Sequence, residues 1–337
     1  MRNFKYKKLF CLVLSIIAYV GVISCSLRSD NMDETKESKK SAIKLVALKG
    51  PTSLGLVELW DKSDEGANEN KYDINVVGEP AEAIAKLASG DADVGLVPTN
   101  MASILYNKTS GNVKLAAINA LGGLYIVSNN KDIKEVRNLK GRKIYVSGQG
   151  ATPEYALRYV LQKNDLEVGR DVFLEYNKAE HSELASQVIS EDVDIALLPE
   201  PFVTQVTEKN SNIKVALNLT KEWDRSSESK DNLTMGCIIV RKNLIEDKKD
   251  SFDRFLDDYK NSVEYVDTNL EGASQLADKY GIMQKEIAIK ALPKCNIVFI
   301  EGEEMKNKVI NFLKVLFDFE PKSIGGKMPS EDFYYKR

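Results

Sequence analysis

Asp93-Val94-Gly95-Leu96-Val97-Pro98 and Asp194-Ile195-Ala196-Leu197-Leu198-Pro199 lie 101 residues apart and share one plan. An aspartate opens each stretch, four apolar residues follow, and a proline ends it. A short, continuous apolar run with turn residues on both sides reads as a parallel strand buried on both faces. Proline offers no N–H to a neighbouring strand, so the run stops there. The likeness extends outward on both sides. Glu82–Leu105 (EAIAKLASGDADVGLVPTNMASIL) matches Glu183–Val206 (ELASQVISEDVDIALLPEPFVTQV), and Asn112–Ala116 matches Asn212–Ala216 at an offset of 100. Each copy reads as helix, buried strand, helix and second strand, the alternation that builds an α/β sheet.

Upstream segments repeat in the same way. Ile43–Leu48 reads as an apolar strand followed by Gly50-Pro51-Thr52-Ser53 and a helix through Trp60. Lys143–Ser147 reads as a strand followed by Gly148-Gln149-Gly150-Ala151-Thr152-Pro153 and a helix through Leu161. Strands at Tyr72–Val77 and Val172–Tyr176 complete the parallel. The body is therefore expected to be two similar α/β lobes. The last third breaks the repeat: Met235–Val240 reads as a strand, and Ser251–Asn269, Gly272–Tyr280 and Glu303–Phe319 read as amphipathic helices with solvated charged faces.

The N-terminus differs from the body. Arg2, Lys5, Lys7 and Lys8 precede an apolar run from Leu9 to Ile23, then Ser24-Cys25. A basic start, a short apolar core and a small residue before a cut site define a secretory signal, with a plain membrane anchor or a cut elsewhere as the alternatives. The run falls short of the roughly 18–20 residues that favour a spanning helix. Ser24-Cys25 fits a lipobox, where cleavage leaves a lipid on the cysteine. Residues 26–40 are polar and charged and read as a solvated tether. The expected division is a signal at 1–24, lipidated Cys25 with its tether at 25–41, one lobe from 42–124 plus 235–337, and the other from 125–234.

The 337-residue chain is 43% hydrophobic and 29% charged, a globular composition that excludes a multi-span membrane protein or a disordered chain. Loss of Met1–Ser24 removes four positive charges and no negative ones, moving the net charge from −3 to −7. Such an acidic body argues against nucleic acid as a partner. Of four cysteines, Cys11 leaves with the signal and Cys25 carries lipid. Cys237 and Cys295 remain, either paired, as export permits, or as two buried free thiols. With neither a CxxC nor a His-Cys cluster, no metal or cofactor site is expected.

In open parallel sheets ligands lie beyond the carboxyl ends of the strands, where helix N-termini present unpaired N–H groups. Here those junctions are rich in small residues, prolines and hydroxyls. Gly50, Pro51, Thr52, Ser53, Thr99, Asn100, Gly148, Gln149, Gly150 and Thr152 are candidates for contact with a ligand, although Ser, Thr and Asn at helix starts also serve as caps. His181, the only histidine, sits at a junction that the repeat places on the cleft, where it donates to a ligand, switches with pH or stands exposed at a helix start. Glu200 accepts from a ligand N–H or favours its own helix N-terminus. No arginine lies in these loops, which counts against simple nitrate or sulfonate capture.

These residues resemble the NitT/TauT-type solute-binding proteins, which serve nitrate, sulfonate, taurine and thiamine-precursor importers. The matching pieces are the lipobox at Cys25, Gly50–Leu56, Leu87–Asn100, Asn138–Leu161, Ala179–Ala185 and Leu197–Val206. The resemblance implies a type II periplasmic-binding fold: two α/β lobes joined by two crossing strands, here Leu124–Ser128 and Met235–Val240, with the ligand between them. It implies an extracytoplasmic, lipid-anchored monomer that captures a small polar molecule and delivers it to an ABC permease with its ATPase. Enzymes on the same fold that make a thiamine pyrimidine carry a cysteine-rich motif that this chain lacks. An enzyme and a ligand sensor are the alternatives.

Overall fold

The computed structural model describes residues 42–227 and 233–337. The expected signal, the lipobox at Cys25 and the tether lie outside the described residues. In chain order the body runs β1 (Ile43–Leu48), α1 (Pro51–Leu54), α2 (Val57–Asp64), β2 (Tyr72–Val77), α3 (Pro80–Ser89), β3 (Val94–Pro98), α4 (Thr99–Lys108) and β4 (Val113–Leu121). It continues with β5 (Leu124–Ser128), β6 (Lys143–Tyr145), α5 (Thr152–Lys163), β7 (Phe173–Glu175), α6 (His181–Ile189), β8 (Ile195–Pro199), α7 (Phe202–Lys209), β9 (Lys214–Asn218) and α8 (Leu219–Ser227). The final part holds β10 (Thr234–Arg241), α9 (Lys242–Thr268), α10 (Leu270–Lys279), α11 (Lys285–Ala291), β11 (Ile297–Ile300) and α12 (Gly302–Phe319).

The strands form two sheets, ordered β11-β4-β10-β3-β1-β2 and β7-β6-β8-β5-β9. Reading the first from β2 and the second from β7 gives the same arrangement twice. β1 corresponds to β6, β2 to β7, β3 to β8 and β4 to β9. In each sheet a strand from elsewhere in the chain enters antiparallel between the third and fourth members: β10 between β3 and β4, and β5 between β8 and β9. The internal repeat is thus a repeat of sheet topology, and the two inserted strands tie the halves together. β3 and β8, the strands of the two quoted stretches, are buried along their whole length.

The chain passes between the sheets at Gly122-Gly123, where both residues have positive φ (51° and 69°). Side chains resist that left-handed region, so a glycine pair is what lets β4 end and β5 begin at once in the other sheet. It returns between α8 and β10. Two apolar clusters fill the body, and each draws on both sheets. Leu45, Ala47, Ala196 and Leu198 share one with Phe252, Phe255 and Tyr259 of α9. Val46, Val97, Ile126 and Leu197 share the other with Phe312 and Leu316 of α12. Alternate residues of one strand therefore serve opposite cores, as the two-residue period of a strand requires.

Some elements depart from expectation. The helix expected at Ser251–Asn269 starts nine residues earlier and bends at Lys248, whose backbone is not helical. β6 and β7 are three residues each, shorter than their apolar runs. Cys237 and Cys295 are free and buried. Cys237 sits in one apolar cluster and Cys295 in the other, so the alternative of a bridge between them is not realised.

Candidate functional site

The carboxyl ends of β1, β3 and β8 and the starts of α1, α3, α5 and α6 converge between the sheets. They enclose a cavity of about 60 Å³. Its walls come from both halves: Leu48, Lys49, Pro51, Thr52, Pro80 and Pro98 on one side, and Ala151, Pro153, His181 and Pro199 on the other. Ala120, Gly122, Met235 and Gly236 close it from the connecting segments. Five prolines line it: Pro51 and Pro80 open helices and Pro153 follows Thr152 in the first turn of α5, where a missing N–H costs nothing, while Pro98 and Pro199 end β3 and β8. Lys49 is the one formally charged side chain among these residues.

The candidates read from the sequence divide into three groups. Pro51, Thr52 and His181 line the cavity. Gly50, Ser53, Gly148 and Thr99 shape its surroundings. The Ser53 hydroxyl accepts from the Gly50 N–H and faces the Gly50 carbonyl, both at 3.1 Å, which stabilises the turn into α1. A side chain at Gly50 would meet Phe202 of the other half at 3.8 Å, and one at Gly148 would meet Pro80 at 3.5 Å. Thr99 is buried beside Cys237. The Thr52 hydroxyl donates to the Leu48 carbonyl at 2.8 Å, which turns its methyl group toward Gly236.

The third group is engaged elsewhere. Gln149 is exposed. Asn100 donates to the Gly150 carbonyl and accepts from the Thr152 hydroxyl. Glu200 is buried and does not line the cavity. Its carboxylate accepts from the Thr204 backbone N–H at 3.0 Å and from the Thr204 hydroxyl at 3.1 Å. It satisfies the first turn of α7, as a cap does. Burial raises its pKa, against the pull of these bonds and of Lys294.

His181 opens α6. Its Nδ1 lies 2.6 Å from the Ser147 hydroxyl, and its ring sits 5.7 Å from that of Phe202. Removal from water holds its pKa down at about 4, so the imidazole is neutral near pH 7. A neutral ring offers its second nitrogen as donor or acceptor without bringing a charge.

Several site residues escaped the sequence reading. Ser147 reads as the end of a strand, and its place beside His181 depends on how two loops fold together. Met235, Gly236, Ala120 and Gly122 come from the connecting segments, outside the repeat. Asn119 is the polar residue inside the apolar run Leu115–Leu121 of β4, and that interruption is a readable signal. It is fully buried, and the absence of a side chain at Gly236, beside the cavity, makes room for its carboxamide.

Among the described residues no helix is long and apolar enough to cross a membrane. Two lobes of matching topology with a cleft between them are the architecture of a solute-binding protein. Residues 64–286 match the family of phosphonate ABC-transporter periplasmic substrate-binding proteins, and the chain belongs to that family. It is the periplasmic substrate-binding component of an ABC importer. No curated protein sequence matches it significantly. Solved structures agree on the fold. An ABC transporter protein from Parabacteroides distasonis is 25% identical, covers 88% of this chain and 99% of its own, and superposes with a TM-score of 0.71. The aliphatic sulphonate binding protein SsuA from Escherichia coli is 13% identical, with 88% and 92% covered and a TM-score of 0.69. The nitrate-binding protein NrtA from Synechocystis is 15% identical, with 83% and 81% covered and a TM-score of 0.65.

Proposed function

We propose that this chain captures one small molecule in the cavity between its lobes, residues 42–124 with 235–337 and residues 125–234, and delivers it to an ABC permease with its ATPase. The observation that carries the reading is that cavity, walled by corresponding strand-to-helix junctions of both halves. Export as a monomer anchored by lipid on Cys25 fits the basic start, apolar run and Ser24-Cys25 of the N-terminus.

Lys49, His181 and the backbone of the helix N-termini supply the polar contacts, and the prolines, Met235 and the Thr52 methyl group supply apolar walls. That combination suits a molecule with an apolar body and a hydrogen-bonding group, such as a heterocycle or an amino-sulfonate. A bare oxyanion fits less well, because the lining offers one lysine and a neutral imidazole where a cationic clamp is expected. An enzyme would need a positioned nucleophile and base. Ser147 and His181 are the pair within reach, but Ser147 is buried, at 1% exposure, so binding without turnover is the better reading.

Native mass spectrometry of gently purified protein, followed by a thermal-shift screen of heterocycles, amino-sulfonates, phosphonates, sulfonates and nitrate, tests it. A true ligand at a hundred times its dissociation constant adds about 2.7 kcal/mol of stability. Thr52→Ala and His181→Ala should each reduce that shift. A ligand whose affinity neither substitution changes places the site elsewhere.

A further inference from the structure

We infer that Asn100 is a positioning residue for capture: its side-chain amide latches the two lobes together without touching the solute. The inference rests on the capture reading above. Asn100 lies in the first turn of α4, directly after the strand that ends at Pro98 in the cavity wall. Its side chain is fully buried. Nδ2 donates to the Gly150 carbonyl of the other lobe at 2.9 Å, and Oδ1 accepts from the Thr152 hydroxyl of that lobe at 3.0 Å. Nδ2 also donates to the Ser323 carbonyl at 3.0 Å, within its own lobe.

Both amide hydrogens are therefore spent on carbonyls, and none is left for a ligand. The opposing loop is rigid in its own right, because the Gly150 N–H donates to Glu154 Oε2 at 2.6 Å and Thr152 begins α5. The fit around the latch is close. A methyl group at Gly78 would stand 2.0 Å from the Glu180 carboxyl carbon of the other lobe, so the two lobes are closely fitted there as well. Opening the lobes breaks the Gly150 and Thr152 bonds together and wets a side chain that is otherwise dry. A net hydrogen bond shifts an equilibrium about fivefold, so losing both should shift closed toward open by on the order of tenfold or more.

The test uses the full chain without added solute, in three forms: native, Asn100→Asp and Thr152→Val. Asn100→Asp removes both donors and sets a carboxylate against two carbonyls. Thr152→Val keeps the shape and removes only the hydroxyl that crosses between lobes. Small-angle scattering should show a larger radius of gyration for both, more so for Asn100→Asp, with faster amide exchange across residues 148–152. Thr152→Val should keep nearly the native Tm. Unchanged scattering and exchange overturn the inference, and so does a lower Tm without expansion, which marks a merely structural role. If Asn100→Asp does not fold, Thr152→Val decides alone. Because no solute is needed, the result stands apart from the capture reading, which fails separately if no compound of any class binds in the cleft.

Discussion

Acidification should destabilise this protein through His181, and the size of the effect follows from its surroundings. The ring is held neutral by burial, with a pKa of about 4 in the folded protein against 6.5 when unfolded. The unfolded state thus takes up a proton before the folded state does. The stability that the neutral ring contributes is fully present above pH 6.5 and is lost as the pH falls toward 4. Full linkage gives about 2 kcal/mol lost by pH 5 and about 3 kcal/mol by pH 4. These are ceilings, because His181 is only partly shielded and faces the cavity. About 2 kcal/mol in total is the expected loss after that discount.

His181→Gln removes the titration while keeping a polar side chain at the start of α6. Urea unfolding of both proteins at intervals from pH 8 to pH 4 isolates the histidine, since every carboxylate is common to the two. The difference in unfolding free energy should be flat above pH 7 and should move steadily against the native protein below pH 6. A difference that stays flat across the range, or that moves in favour of the native protein, refutes the placement of a neutral imidazole at the cleft.

Tyr259→Phe should raise stability by about 1 kcal/mol in urea unfolding, because the Tyr259 hydroxyl is fully buried and its polar neighbour, the Asn119 amide, does not meet it in a well-formed hydrogen bond. A loss of 1 kcal/mol or more instead would show that the hydroxyl is partnered. Glu200→Ala should lower stability by about 1–2 kcal/mol through loss of both Thr204 bonds while leaving solute affinity unchanged to first order, and a calorimetric loss of affinity with normal stability would return Glu200 to the ligand. Reductant should leave the Tm of the body unchanged, and thiol labelling of Cys237 and Cys295 should require unfolding, since both are buried and free. Burial pushes both thiols toward their protonated forms, which slows labelling further.

The architecture was legible because the chain states it twice. One apolar strand ending in proline is ambiguous, but two at a fixed offset, with matching helices on each side, leave little besides a pair of similar sheets. What the repeat could not show is where a third piece of chain enters each copy. β5 and β10 both read as ordinary apolar strands, and the passage into β5 depends on a turn at Gly122-Gly123 that periodicity does not register. The same gap explains the missed wall of the cleft, since Met235, Gly236 and Ala120 lie on or beside those connecting strands.

Individual side chains were harder to assign, for a physical reason. Ser, Thr, Asn and Glu at a helix start have one set of polar atoms and several partners within reach: their own first turn, a ligand, or the facing lobe. Sequence places them at the junction and cannot say which partner wins. Ser53 and Glu200 went to their own turns, where the partner is a few residues away and the entropy of meeting it is small. Asn100 went to the facing lobe, 50 and 52 residues along the chain at Gly150 and Thr152, a contact that no local rule anticipates. Thr52 divided itself, with the hydroxyl on Leu48 and the methyl toward the cavity floor. A cleft whose polar groups are largely spoken for inside the protein leaves few free to read a solute. Its selectivity then rests on the fit of apolar walls and on His181, Lys49 and the backbone.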